Sequence, residues 1–184
     1  MAHILILYGT FDGQTARIAE HIGAALVRDH HHSVTVRAVE APEAASEIDR
    51  CDAVIVGGAV RYGRFSKTLE AFVRAHGARI AALPNAFFSV CLSARKARDG
   101  HALAERYVDG FSARTAWQPR RTADFAGALA YSKYGFFRRL MMRIISLAAG
   151  GGTDTSRDYE YTDWHAVDAF AAGFAWKLDV ARVA

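Results

Sequence analysis

Only two cysteines, Cys51 and Cys91, occur in 184 residues. That is too few for a disulfide framework, and a reducing compartment is the expectation. No stretch approaches the roughly 20 consecutive apolar residues of a membrane-spanning helix. The N-terminal run HILILY is too short for a secretory leader. The triphosphate-loop pattern GxxxxGK(S/T) is missing, and so is the dinucleotide fingerprint GxGxxG, which leaves neither class of site supported. No internal repeat, linker or low-complexity tract interrupts the chain, so one domain spanning residues 1–184 is expected. Acidic residues are absent between Asp124 and Asp154, a window that holds Lys133, Arg138, Arg139 and Arg143. Taking those four cations from the 23 Lys and Arg leaves 19, matching the 19 Asp and Glu, so the whole formal excess of +4 is local. A local excess points to an anionic partner met at one place rather than to a globally basic nucleic-acid binder.

What is present reads as a globular α/β domain, with 52% hydrophobic and 23% charged residues. Apolar runs of strand length fall at His3–Tyr8, Ser33–Val39, Asp52–Gly58, Ala86–Leu92 and Thr122–Leu129. Helical patterns lie near Gly13–Arg28, Ser66–Ala78, Asp99–Ala113 and Asp163–Leu178, and Ala41–Arg50 is a short helix or loop. Continuous runs such as HILIL and AVIVGG suit parallel strands buried on both faces. Their alternation with helices predicts right-handed crossovers and a doubly wound parallel sheet of five strands.

Ligands of such sheets sit beyond the carboxyl ends of the strands. Three loops follow predicted strands there: GTFDGQT (Gly9–Thr15), GGAVRYGR (Gly57–Arg64) and SVCLSARKAR (Ser89–Arg98). The first enters a helix, whose unpaired amides and dipole favour an anion. Thr10 and Thr15 add hydroxyls, Gln14 an amide, and Gly13 close backbone approach, a set that suits a phosphate monoester. The same loop also reads as an ordinary helix cap with Thr10 or Asp12 as the capping residue. Tyr62 is placed to lie against a flat ring, or is a half-buried tyrosine. Cys91 reads as a small apolar filler rather than a reactive thiolate.

The words TFDGQT, AVRYGR, FFSVCLSARK, FAGALAY, GGGTDT and YTDW occur in this order from Thr10 to Trp164. In them the chain resembles the menaquinone-dependent protoporphyrinogen IX dehydrogenases, bacterial oxidases with a flavodoxin-like fold, which implies a doubly wound five-stranded parallel sheet of order 2-1-3-4-5 and a long-chain-type insertion before the last helix. The resemblance implies that Thr10, Phe11, Asp12, Gly13, Gln14 and Thr15 grip the phosphate of FMN. It places Val60, Arg61, Tyr62 and Gly63, with Ser89, Val90, Cys91, Leu92, Ser93, Ala94 and Arg95, around the isoalloxazine. Phe11 stands where a polar or basic residue is expected, and Cys91 where Asn would be unsurprising. Phe11 still has a backbone amide to donate.

The resemblance makes residues 131–152 the insertion. On a helical projection Phe137, Leu140, Met141, Ile144 and Ile145 share a broad apolar face, and Arg138, Arg139 and Arg143 lie largely opposite. One reading is a core helix with solvated arginines. Another is contact of residues 133–149 with an anionic bilayer. A third is a tetrapyrrole pocket whose arginines meet propionates. The resemblance implies oxidation of protoporphyrinogen IX with menaquinone or ubiquinone as acceptor, in a cytoplasmic protein held peripherally at the inner face of the membrane, with no metal. Arg61, Arg95, Arg98, Arg120 and Arg121 are candidate carboxylate partners or plain surface arginines. His30-His31-His32 reads as a solvated loop, and Trp164 as structural packing. The rival classes are an electron-carrier flavodoxin, which normally presents an acidic docking face, and an NAD(P)H quinone reductase, for which no nucleotide fingerprint is present.

Overall fold

The apolar runs are strands in the computed structural model, which describes residues 1–95, 97–129 and 159–183. The elements in order are β1 (His3–Gly9), α1 (Gln14–Arg28), β2 (Ser33–Ala38), α2 (Ala44–Glu47) with a 3-10 turn (Ile48–Arg50), β3 (Ala53–Ala59) and α3 (Lys67–Ala82). There follow β4 (Asn85–Cys91), a 3-10 turn (Leu92–Arg95), α4 (Ala97–Thr115), β5 (Thr122–Ala126), β6 (Ala128–Leu129), β7 (Tyr159–Glu160) and a last helix, α5 (Trp164–Val183). The main sheet is parallel throughout, with the expected order β2-β1-β3-β4-β5.

Successive side chains of a strand point to opposite faces, so a strand covered on both sides is apolar at every position. Ile4 and Ile6 of β1 join Ile55, Phe88 and Phe125 under α1 and α5, where Ile18, Ile22, Phe170 and Phe174 close the layer. Leu5 and Leu7 join Val54, Val56 and Phe87 under α3 and α4, against Leu69, Val73 and Phe111. Each such side chain contributes about 1.5–3 kcal/mol when fully buried. Ser66 caps α3, its hydroxyl accepting the Leu69 N–H at 3.1 Å.

Two expectations are corrected. The single run predicted at Thr122–Leu129 divides: β5 ends at Ala126, and β6 pairs antiparallel with β7 in a separate two-stranded sheet. Gly127 makes the division, donating its N–H to Cys91 O at 3.3 Å and accepting from Tyr161 N at 3.2 Å. The histidine run is not wholly solvated either. His32 is buried, its Nδ1 accepting from Ala2 N at 3.3 Å while Nε2 lies 3.7 Å from Asp179. Trp164 packs as expected, half-buried beside His21 (4.7 Å between ring centroids) and beneath Arg17.

Candidate functional site

Parallel packing brings the loops after β1, β3 and β4 to one edge. In the first, Gly13 has φ 98°, a left-handed conformation that glycine adopts at little cost. Thr10 Oγ1 accepts the Gly13 N–H at 3.0 Å. The first helical bond of α1 runs from Arg17 N to Gly13 O (3.1 Å), and no side chain caps the helix. The N–H groups of Gln14, Thr15 and Ala16 therefore have no intrahelical partner and present the positive end of the helix dipole. No acidic residue occupies the first turn. Thr15 is 1% exposed, and its Oγ1 has no hydrogen-bond partner among the described residues. A buried hydroxyl left unpaired costs about 1–3 kcal/mol. An uncapped helix start with an orphaned hydroxyl in its first turn fits a phosphate monoester, which would satisfy both.

The second loop is a tight turn. Arg61 and Arg64 exchange backbone bonds at 2.8 and 3.1 Å across Tyr62 (φ 53°) and Gly63 (φ 75°), the two positive angles of a type I′ turn. A tyrosine pays strain in that conformation, and here it holds an aromatic ring 66% exposed at the turn's tip. The start of the loop is tied to the third strand-end, Val60 N donating to Val90 O at 2.8 Å. Arg61 joins the second loop to the first. Its Nη2 pairs with Asp12 Oδ2 at 2.6 Å, and its guanidinium lies 4.1 Å from the centroid of the Phe11 ring. The unexpected Phe11 thus has a partner, and the carboxylate that Arg61 meets is one of the chain's own.

The third loop is narrower than its sequence suggests. Ser89, Val90 and Cys91 are buried within β4, at 0%, 4% and 4% exposure. Leu92, Ser93 and Ala94 are the half-buried residues that follow. Ser93 Oγ donates to Cys91 Sγ at 3.2 Å, and burial pushes the Cys91 thiol up. It stays protonated near neutral pH and is no nucleophile. Burial also pushes Cys51 up, from 9.0 to about 11. Above pH 9 the unfolded chain loses the Cys51 proton before the folded chain does, so this thiol's stabilising contribution is lost as pH rises from 9 to about 11. Cys51→Ser is expected to flatten the fall in stability across that window, measured by urea unfolding.

Gln14 is used differently from the expectation. Its Nε2 donates to Thr162 Oγ1 at 2.8 Å and to Glu160 Oε1 at 3.1 Å, and its Oε1 accepts from Arg17 Nη1 at 3.1 Å. Both N–H donors of that amide are occupied, and the backbone N–H is what Gln14 has left to offer an anion. Glu160 and Thr162 stand 146 and 148 positions away, beyond any local sequence signal. Arg120 and Arg121 precede β5 and so lie at the opposite, amino edge of the sheet. There Arg120 N donates to Asn85 Oδ1 at 3.0 Å, and Arg121 sits 5.4 Å from the Phe170 ring centroid. The expected contact residues Phe137, Arg138, Arg139, Leu140, Met141, Arg143 and Ile144, and the side chains of Arg95 and Arg98, lie outside the described residues. No cluster of metal-ligating side chains occurs among the described residues.

The sheet order and the uncapped loop at its carboxyl edge define a flavodoxin-like protein. Residues 5–156 match the flavodoxin domain family. Oxidised flavodoxin 2 from Bacillus cereus superposes with a TM-score of 0.58 at 19% identity, covering 96% of this chain and 99% of that one. A flavodoxin from the domain Archaea gives 0.54 at 14%, covering 96% and 99%. Within that class the chain is 35% identical to the protoporphyrinogen IX dehydrogenase (quinone) of Escherichia coli K12 over 177 residues, 95% of this chain and 96% of the relative. The enzyme of that name from Leishmania major is 37% identical over 172 residues, 93% and 74% of the two chains. The chain belongs to the protoporphyrinogen IX dehydrogenase (quinone) family of flavodoxin-domain proteins.

Proposed function

We propose that this chain binds FMN and oxidises protoporphyrinogen IX to protoporphyrin IX, with a quinone, menaquinone or ubiquinone, as electron acceptor in haem biosynthesis. The observation that carries the reading is the near-full-length likeness to the E. coli enzyme. The uncapped start of α1 with its unpartnered Thr15 hydroxyl supports it independently, because that arrangement suits an anion.

The backbone N–H groups of Phe11, Asp12, Gln14 and Thr15 and the hydroxyls of Thr10 and Thr15 would hold the phosphate, with the Gly13 N–H spent on Thr10 Oγ1. The Val60–Gly63 turn, with the exposed Tyr62 ring at its tip, and the Leu92–Arg95 turn would hold the isoalloxazine. When bound, FMN supplies two-electron transfer between substrate and quinone. The porphyrinogen gives up its electrons in three two-electron steps, and the reduced quinones carry them away with the released protons. The Arg61 clamp between Phe11 and Asp12 keeps the phosphate loop and the aromatic turn at a fixed separation.

The reading extends to the basic segment 133–149. Its sequence pattern supports a peripheral contact at the inner face of the cell membrane, with apolar residues in the acyl boundary and arginines at head groups or substrate propionates. No described helix is long and apolar enough to cross a membrane.

The test is anaerobic incubation of FMN-loaded protein with protoporphyrinogen IX, with and without menadione. Porphyrin fluorescence is expected to rise only with the quinone. Absence of porphyrin, together with rapid one-electron exchange with a partner protein, would instead identify an electron carrier.

A further inference from the structure

Thr162 lies outside the loops that frame the proposed FMN site, yet it ties together two of the structures on which that site depends. Its hydroxyl donates to Ala126 O at the end of β5 (2.8 Å) and accepts from Gln14 Nε2 at the first residue of α1 (2.8 Å). The hydroxyl has one proton, and Ala126 takes it, so Gln14 must be the donor on the other side. The second N–H of Gln14 goes to Glu160, whose other carboxylate oxygen is held by Arg17 at 3.1 Å. The segment Tyr159–Asp163 is thereby fastened across the start of α1, and the β6–β7 ladder anchors its upstream end.

This arrangement has two consequences at the uncapped helix start. It fixes the residue whose N–H opens α1, and hence the direction of the unpaired amides of the first turn. It also keeps the Glu160 carboxylate engaged by Gln14 and Arg17. A carboxylate released beside a helix N-terminus would compete with any other anion for the same amides.

We infer that Thr162 is a positioning residue for the phosphate end of the flavin, acting through Gln14 without touching the ligand, and that it sets the preference for FMN over phosphate-free riboflavin. The inference rests on the FMN reading above, and the experiment separates the two. Wild-type, Thr162→Val, Thr162→Ser and Gln14→Met proteins are titrated with FMN and with riboflavin, following flavin fluorescence quenching. Thr162→Val is expected to weaken FMN about tenfold, the scale of one or two net hydrogen bonds, and riboflavin less than about twofold. Thr162→Ser retains the hydroxyl and is expected to bind FMN within about threefold of wild type. Gln14→Met removes the same bond from the other side, along with those to Glu160 and Arg17, and is expected to show an FMN-selective loss at least as large even if Thr162→Val does not fold. An equal weakening of both flavins by the Val and Met variants would mark a merely structural contact and overturn the inference, as would unchanged FMN affinity. A wild-type protein that binds neither flavin would overturn the FMN reading itself.

Discussion

Gly57→Ala is expected to destabilise the fold by about 3 kcal/mol, at the upper end of what overpacking a core costs. Gly57 lies opposite Phe88 in the β3–β4 register. A Cβ at position 57 would stand 2.1 Å from Phe88 Cζ and within 2.6 Å of both Cε atoms. Ordinary contact needs well over 3 Å, so the ring would have to retreat by more than an ångström. It has no room to do so. Phe88 is 0% exposed, and Phe125 (5.9 Å between centroids) and Phe170 (6.4 Å) pack around it. The β3 end carries the Val60–Gly63 turn, so the strain is transmitted to the proposed ring site. Phe88→Leu removes the opposing ring at a cost of about 1–2 kcal/mol. In the double variant the two costs are expected to fall short of their sum by about 2 kcal/mol, as for residues in direct contact. Urea unfolding of the four proteins closes the cycle. A neutral Gly57→Ala would mean that the core layer under α5 yields freely.

The strands were legible because burial on both faces leaves a mark in consecutive residues: HILIL, AVIVGG and AFFSVC carry no polar alternation. The loops at the carboxyl edge were legible for a related reason, since polar, small and glycine residues break those runs abruptly. Side-chain partners were not legible. Gln14 reads as an anion donor from its place in GTFDGQT, yet its amide is consumed by Thr162 and Glu160, far along the chain. Arg61 reads as a partner for a substrate carboxylate or as a plain surface arginine, and it meets Asp12 across a gap of 49 positions. The division of the fifth strand at Gly127 was hidden as well. β6 exists through its pairing with Tyr159–Glu160, and two residues are too few to show any periodicity. Local pattern reports burial, whereas pairing across the sheet edge reports topology, which becomes visible once the strands are assembled.

Thr15→Val is expected to move two measured quantities in opposite directions. Thr15 is buried, and its hydroxyl has no partner among the described residues. Replacing that hydroxyl with a methyl of similar size removes an unpaired polar group. The flavin-free protein is therefore expected to gain about 1 kcal/mol, the lower end of the penalty for such a group. Threonine and valine differ little in helix propensity, so α1 itself is not the source of the change. FMN affinity moves the other way. A hydrogen bond to a charged phosphate contributes about 1.5–3 kcal/mol, so the dissociation constant is expected to rise about 10- to 100-fold. Riboflavin, which has no phosphate, should bind nearly as before. Because a ligand at free concentration L stabilises the native state by RT ln(1 + L/Kd), the two stability curves must cross as FMN is added: the variant is more stable at zero flavin, the wild type at high flavin. Urea midpoints measured over a range of FMN concentrations would reveal the crossing. Loss of stability in the flavin-free variant would show that the fold itself uses the Thr15 hydroxyl, and unchanged FMN affinity would remove the phosphate from this loop.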